Sequence, residues 1–243
     1  MMNNKTCIAF WFSTPNVCLL EMVNQAGIKH IVLDIEHGLF GLKDIDHFIL
    51  TAKLYGMTVH AKTLAPEMGP IQQMLDLGAD SVIIPHIEGF EHASDICAYA
   101  KYPPIGKRSA AGGRTVDYRA DQEGHYERQN EKVKCYPMIE TEGALRDIHE
   151  ILSLDTVDGV FIGPTDLALS RGRGRYQFSE EDLSDIMEII EAVKLSGKRW
   201  LMPAWRKAEQ QLSINFDAYC MVVEEEQGVM INGLDLCMKS LNQ

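Results

Sequence analysis

Three titratable side chains, Asp34, Glu36 and His37, follow an apolar run at residues 31–33 and precede Gly38. The run is typical of a buried parallel strand, and catalytic side chains often follow the carboxyl ends of such strands. A histidine beside a carboxylate can serve as a general base that the carboxylate orients. The stretch therefore predicts His37 as a base oriented by Asp34. A solvated turn between a strand and a helix is the alternative interpretation.

Two further acids, Glu140 and Asp166, follow successive predicted strands at residues 134–139 and 159–162. Two carboxylates at one end of a sheet repel each other unless a proton or a cation lies between them. Because oxygen ligands suit hard divalent ions, we expect Mg²⁺ or Mn²⁺, with Co²⁺ as a further candidate. The alternative is that both acids are unrelated surface residues that cap helices.

Three other charged positions stand out. Asp76 ends a predicted helix, where an anion opposes the helix dipole, so it is either a solvated acid or has a partner elsewhere. The third predicted strand runs on into His60 and Lys62, toward the end of a barrel where active sites lie. The acidic run at residues 224–226 follows the eighth predicted strand, and we interpret it as a solvated loop.

Apolar runs and helical patterns alternate along the whole chain. Strands are predicted at residues 7–12, 31–33, 58–61, 81–84, 134–139, 159–162, 199–202 and 218–223. Helices are predicted at residues 15–26, 42–55, 66–77, 91–101, 118–132, 142–152, 180–196, 207–212 and 229–241. Eight such units predict an α/β fold, a single (β/α)8 TIM barrel spanning residues 1–243 as one domain. An open doubly wound sheet is less favoured because no GxGxxG motif follows the first strand.

The composition limits the partners. With 23 basic and 35 acidic residues the formal net charge is -12, which argues against nucleic acids and anionic membranes. The first residues lack the pattern of a signal peptide, and no apolar run reaches the ~18 residues of a membrane span. We therefore expect a cytoplasmic protein. Its six cysteines are expected to be reduced, and their spacing suggests no zinc site.

Five motifs in the order of the chain point to a family. They are residues 33–38 (LDIEHG), 75–79 (LDLGA), 102–106 (YPPIG), 138–140 (MIE) and 158–167 (DGVFIGPTDL). Over about residues 6–220 the chain resembles the HpcH/HpaI family of metal-dependent 2-oxo-acid aldolases. That family includes aldolases for 4-hydroxy-2-oxoheptanedioate, 2-dehydro-3-deoxyglucarate and 2-keto-3-deoxy-L-rhamnonate. The last motif, with its spacing from Glu140, carries the resemblance most specifically.

The resemblance implies a role for each candidate residue. Glu140 and Asp166 match the metal ligands, His37 the catalytic proton acceptor, and Asp76 the acid that raises the basicity of that histidine. The backbone amides of Thr165 and Asp166 would hold the substrate carboxylate. The implied reaction cleaves or forms a 4-hydroxy-2-oxo acid through a metal-stabilised enolate, and His37, or a water that it activates, deprotonates the C4 hydroxyl.

Two positions depart from the family pattern. The family has an arginine at the end of its third strand, and this chain has Lys62, which keeps the charge but loses the planar, bidentate grip. The family's substrate-contacting glutamine is replaced by Met138. Together with Gly163, both are expected to line the substrate site. The metal and base positions are unchanged.

Three alternative functions remain open. The same fold could use an acyl-CoA or oxaloacetate as a lyase or synthase, with the basic loop at residues 106–114 attracting the CoA. Lys62 in an apolar barrel could form a Schiff base, which would make the aldolase metal-independent. The changes at Lys62 and Met138 could also mark a barrel that binds a metabolite without turning it over.

The expected partners are a small 2-oxo acid, an aldehyde and other copies of the chain. Members of the family commonly form trimers or hexamers that exchange their carboxyl-terminal helices. In this chain the helix predicted at residues 229–241 could be exchanged between subunits. Its apolar side chains include Val229, Met230, Leu234, Leu236 and Met238.

Overall fold

The computed structural model describes residues 6–120 and 122–241, and its centre is a closed barrel. Within those residues eight parallel strands are hydrogen-bonded in chain order, and the last pairs with the first. The strands are β1 (Cys7–Phe12), β2 (His30–Asp34), β3 (Thr58–Lys62), β4 (Ser81–Ile84), β5 (Lys134–Ile139), β6 (Gly159–Ile162), β7 (Arg199–Pro203) and β8 (Cys220–Glu225). The predicted (β/α)8 barrel is confirmed.

Helices follow the strands and cover the outside of the barrel. They are α1 (Val17–Gln25), α2 (Leu42–Leu54), α3 (Met68–Asp76), α4 (Phe90–Cys97), α5 (His125–Lys132), α6 (Glu142–Arg146), α7 (Ile148–Ser153), α8 (Pro164–Ser170), α9 (Glu180–Ser196), α10 (Lys207–Asn215) and α11 (Glu226–Ser240). Phe48 and Ile71 on these helices are fully buried in one cluster with Leu33 and Val82 from the strands. Burying a side chain of this size stabilises the fold by about 1.5–3 kcal/mol. In the described ranges we find no helix with both the length and the hydropathy of a membrane span.

Two predicted helices differ from the observed ones. The helix expected at residues 142–152 is divided at Asp147, whose carboxylate accepts a hydrogen bond (3.0 Å) from the backbone amide of Phe90 at the start of α4. The helix expected at residues 118–132 begins only at His125. Gly124 precedes it with a φ of 73°, a left-handed conformation that cannot continue an α-helix.

Side chains that point into the barrel form an apolar middle with polar groups at both ends. The middle includes Ala9, Val32, Ile83, Met138, Phe161, Leu201 and Val222. His30 and Asp34 occupy the two ends of β2, and His60 and Lys62 lie in the same order on β3. Because the strands are parallel, the histidines mark the amino end of the barrel, and Asp34 and Lys62 mark its carboxyl end.

The acidic run after the eighth predicted strand is not a solvated loop, so that prediction is wrong. Glu224 and Glu225 belong to β8, because hydrogen bonding to β1 continues through both residues. Glu226 begins α11 and is only 3% exposed. Its Oε2 accepts hydrogen bonds from the backbone amides of Ser13 (2.6 Å) and Thr14 (2.7 Å), and its Oε1 accepts one from the Thr14 hydroxyl (2.7 Å). Glu226 therefore ties the start of the last helix to the loop after β1.

Glu226→Ala should destabilise the protein by about 2–4 kcal/mol, because it leaves the amides of Ser13 and Thr14 without their acceptor. Glu226→Gln keeps an acceptor oxygen and should cost about 1 kcal/mol. Urea unfolding measures both, with Glu188→Ala, at an exposed position of α9, as the control expected to change stability by less than about 0.5 kcal/mol. Equal effects of the alanine variants at 226 and 188 would contradict this role.

Candidate active site

The turn after β2 carries Glu36 and His37. A hydrogen bond from its backbone to Asp34 constrains one end, and the close packing of Gly38 constrains the other. Asp34 is buried, and its Oδ1 accepts a hydrogen bond (3.0 Å) from the backbone amide of His37. A Cβ atom on Gly38 would collide with the carbonyl oxygens of Asp34 and Ser13, so only glycine fits there. Asp34 thus orients the backbone of His37 and not its imidazole, as a short acidic side chain does in an Asx turn.

Glu36 is the carboxylate next to the His37 imidazole. The Nε2 atom of His37 lies 3.5 Å from Glu36 Oε2, and the His37 side chain is 68% exposed. The exposed ring leaves room for a substrate, since only one edge of it faces the protein. The sequence analysis predicted Asp34 as the acid that orients the His37 imidazole. In the structure the acid beside that ring is Glu36.

Lys62 neutralises this acidic turn. Its Nζ lies 2.6 Å from Glu36 Oε2 and 3.8 Å from Asp34 Oδ1, and the Lys62 and Glu36 side chains are only 7% and 10% exposed. Burial alone raises the pKa of Glu36, but the hydrogen bond and charge of Lys62 outweigh it, so the net pKa is lowered. The Glu36 carboxylate is therefore ionised, and its ion pair with Lys62 fixes the Nζ atom of that lysine at the carboxyl end of the barrel.

Glu140 directly follows β5 and is buried against Gly163. A Cβ on Gly163 would lie 2.7 Å from Glu140 Cβ and 3.0 Å from Met138 Cε, so the glycine leaves space for both side chains. Burial raises the pKa of Glu140, and the nearby charge of Asp166 raises it further, whereas hydrogen bonding from the amide of His86 opposes the rise. A buried acid beside a second acid is a place where a cation lowers the free energy of both charges.

The first turn of α8 completes this end of the barrel. Thr165 and Asp166 follow Pro164 there, and both are exposed, whereas Met138 is buried in the barrel interior. The first amides of a helix have no acceptor within the helix, so they can bind an anion. The structure therefore brings the predicted metal and substrate positions to one mouth, together with His37 and Lys62.

His86 is a residue of this mouth that the sequence analysis did not identify. It follows β4 with a φ of 55°, a left-handed conformation uncommon for a residue with a side chain. Its backbone amide donates a hydrogen bond (2.6 Å) to Glu140 Oε1, and its Nε2 is hydrogen-bonded to Glu36. The sequence did contain a signal for His86. It stands two residues after the predicted strand at residues 81–84, close to the end of that strand, as Glu36 is close to the end of the second strand.

Asp76 does not lie at the carboxyl end of the barrel with the other candidate residues. It is the last residue of α3, and the helices of a barrel run opposite to the strands, so the carboxyl end of α3 lies at the amino end of the barrel. Nine helical residues span about 13 Å. The Asp76 carboxylate is paired with Arg108 (2.8 Å). The structure does not bring Asp76 to His37 within one chain.

Comparison of the sequence with known proteins identifies one family. Residues 8–213 match the sequence profile of the family described as HpcH/HpaI aldolase/citrate lyase. The chain is 32% identical to a hydroxypyruvate/pyruvate aldolase of Rhizorhabdus wittichii over 197 residues, which is 80% of this chain and 78% of that one. It is 28% identical to a 2-keto-3-deoxy-L-rhamnonate aldolase of Klebsiella pneumoniae, over 71% of this chain and 65% of that one.

Solved structures share the fold. The crystal structure of an HpcH/HpaI aldolase from Desulfitobacterium hafniense superposes with a TM-score of 0.89 at 21% identity, covering 98% of this chain and 94% of that one. The crystal structure of the citrate synthase SbnG superposes with a TM-score of 0.87, also at 21% identity and with the same coverage. At this level of identity the two structures support the barrel fold alone.

Lys62→Met should destabilise the protein by about 3–5 kcal/mol, because it leaves the buried charge of Glu36 without its partner. The double variant Lys62→Met/Glu36→Gln should recover much of that loss, since the uncompensated charge is then gone. Guanidinium unfolding measures the stability of the single and double variants, with Lys107→Met in the exposed Lys107–Asp95 pair as a control that should change stability little. A double variant less stable than Lys62→Met would contradict the pairing.

Proposed function

Because this chain belongs to the HpcH/HpaI aldolase/citrate lyase family, we propose that it is a divalent-metal-dependent aldolase that cleaves or forms a 4-hydroxy-2-oxo acid. Its relatives are named as aldolases, and the chain is accordingly a lyase of the aldolase type. The observation that carries the metal-dependent proposal is the buried carboxyl group of Glu140 beside Asp166 at the carboxyl end of the barrel.

The donor set fits a hard divalent ion. Glu140 and Asp166 offer carboxylate oxygens from β5 and from the first turn of α8, and Mg²⁺ and Mn²⁺ prefer such ligands. When bound, the ion supplies a Lewis acid that polarises the 2-oxo group and stabilises negative charge on its oxygen. We propose that the amides of Thr165 and Asp166, in the first turn of α8, bind the substrate carboxylate.

We assign proton transfer to His37. Its Nε2 faces the Glu36 carboxylate, so Nδ1 is the nitrogen left to accept the proton of the substrate C4 hydroxyl. Lys62, held by Glu36, contributes a fixed positive charge close to the reacting oxygens. Met138 offers the substrate an apolar contact where the family has an amide.

The Schiff-base alternative finds little support in the geometry. A lysine attacks a carbonyl only as the free amine. The Nζ atom of Lys62 lies 2.6 Å from Glu36 and 3.8 Å from Asp34, so it is held in ion pairs with both carboxylates. This arrangement favours an electrostatic role for Lys62.

The acyl-CoA alternative rested on the basic loop at residues 106–114. In the structure Lys107 is paired with Asp95 (2.8 Å) and Arg108 with Asp76 (2.8 Å). Arg114 is paired with an acid as well, at 2.6 Å. These side chains already have anionic partners within the chain, so they do not form an open site for a polyphosphate.

We further propose that the chain acts as a homo-oligomer, a trimer or a hexamer. Helix α11 exposes apolar side chains, namely Val229, Met230, Ile231, Leu234 and Leu236. Exchange of this helix between subunits would cover them. An oligomer would also allow Asp76 of one copy to approach His37 of another, which the single chain does not allow. A cytoplasmic location and a single domain over residues 1–243 remain predictions.

The first test is exchange of the methyl protons of pyruvate into D₂O, followed by NMR. We expect exchange with Mg²⁺ or Mn²⁺ and its loss after EDTA, because the ion stabilises the enolate charge. Glu140→Gln should slow exchange by about 100-fold or more, whereas Glu142→Gln, at an exposed acid in the next helix, should leave it unchanged. Exchange that survives EDTA would contradict the metal and favour a Schiff base on Lys62. No exchange in the metal-loaded protein would contradict pyruvate as the bound fragment.

A further inference from the structure

A second group of metal-ligating side chains lies at the amino end of the barrel interior. His30, His60 and Cys220 come from β2, β3 and β8, and one donor atom of each lies within 4.8 Å of the others. The Nδ1 atom of His30 is 3.1 Å from Nε2 of His60. Among the residues that the structure describes, no other set of three or more histidine, cysteine or acidic side chains converges in this way.

This group is separate from the candidate active site. The apolar middle layer of the barrel, which includes Val32 and Ile83, lies between the two ends. His60 and Cys220 are almost fully buried, at 2% and 1% exposure. The two imidazoles are hydrogen-bonded to each other, and the thiol of Cys220 lies beside them in the barrel interior.

The state of His60 suits a ligand. Its Nδ1 is 2.6 Å from the hydroxyl of Ser81 on β4, and a hydrogen bond from Nδ1–H to that oxygen leaves the lone pair on Nε2. Metal-binding histidines in proteins usually have such an outer hydrogen bond, which fixes the tautomer and the orientation of the ring.

We propose that His30 Nδ1, His60 Nε2 and Cys220 Sγ bind a thiophilic divalent ion of the Zn²⁺ class. Imidazole and thiolate donors select Zn²⁺ or Co²⁺ over Mg²⁺, and three protein ligands leave one position of a tetrahedral site. On binding, the S–H bond of Cys220 breaks, its proton passes to water, and the sulfur electron pair binds the ion without any oxidation.

An entry path and a fourth donor lie on the same side. His30 is only partly buried, so the group is reachable from solvent at the amino end of the barrel. Cys7, also partly buried, is the partner of Cys220 in the β1–β8 ladder. A water that enters past this residue can occupy the fourth position. The sequence spacing of the cysteines suggested no zinc site because these ligands come from strands far apart in the chain.

Cobalt absorption tests the site directly. Chelator-treated protein is titrated with CoCl₂ in excess Mg²⁺, which occupies the carboxylate site. We expect a thiolate-to-cobalt charge-transfer band in the near ultraviolet that saturates at one equivalent, and Zn²⁺ should abolish it because Zn²⁺ binds more tightly. A folded protein without this band would overturn the proposal.

Variants assign the band to its ligands. Cys220→Ser should abolish it, and His30→Gln should weaken Co²⁺ binding by more than about 100-fold, because even loss of an outer partner costs about 10–100-fold. Ser81→Ala should weaken binding by about 10-fold. Cys18→Ser, at an exposed cysteine, and Glu140→Gln should leave the band unchanged. Circular dichroism confirms that each variant is folded.

Two outcomes would assign the band to another site. A band that persists in Cys220→Ser would point to another thiol, such as the buried Cys97 or Cys135, and would overturn the proposal. A band lost in Glu140→Gln would place the ion at the carboxyl end of the barrel and overturn it equally. Both outcomes are independent of whether the protein exchanges pyruvate protons.

Discussion

The closed interior of the barrel is the constraint on which the rest of the structure depends. Eight parallel strands leave no open edge, and the side chains that point inward fill the centre with apolar groups, so polar groups there must find partners in the protein. At the carboxyl end Lys62 pairs with Glu36 and Asp34. At the amino end His60 is hydrogen-bonded to His30 and Ser81. The polar groups of the barrel interior are therefore found at its two ends.

Glu226 in the last helix supports the turn that carries the candidate base His37, although the two are far apart in the chain. Glu226 holds the amides of Ser13 and Thr14, and the carbonyl oxygen of Ser13 accepts a hydrogen bond (2.7 Å) from Leu39. Leu39 directly follows the turn that carries His37. The position of the candidate base therefore depends on a carboxylate at the other end of the sequence, which links the stability of α11 to the geometry of the mouth.

The two ends of the barrel offer different donor atoms, and this separates the ions that they can bind. Glu140 and Asp166 supply only oxygen, which suits Mg²⁺ and Mn²⁺, whereas the amino end supplies nitrogen and sulfur, which suit Zn²⁺. The apolar middle layer keeps the two sets apart. Asp76 belongs to the amino end as well, where Arg108 already neutralises it, so any contact with His37 requires a second copy of the chain.

The barrel and most residues of its carboxyl mouth could be predicted from the amino-acid sequence. Alternating strand and helix patterns imply parallel strands, and parallel strands share one end, so the residues after them must meet; Lys62, Glu140 and Asp166 were found in this way. The three-dimensional structure was needed to show the partner of Asp34, the burial of Glu226, the place of Asp76 and the contact of His30 with Cys220. Local periodicity shows which face of an element is buried. It does not show which distant side chain lies opposite, because that depends on how the barrel closes and where each loop returns.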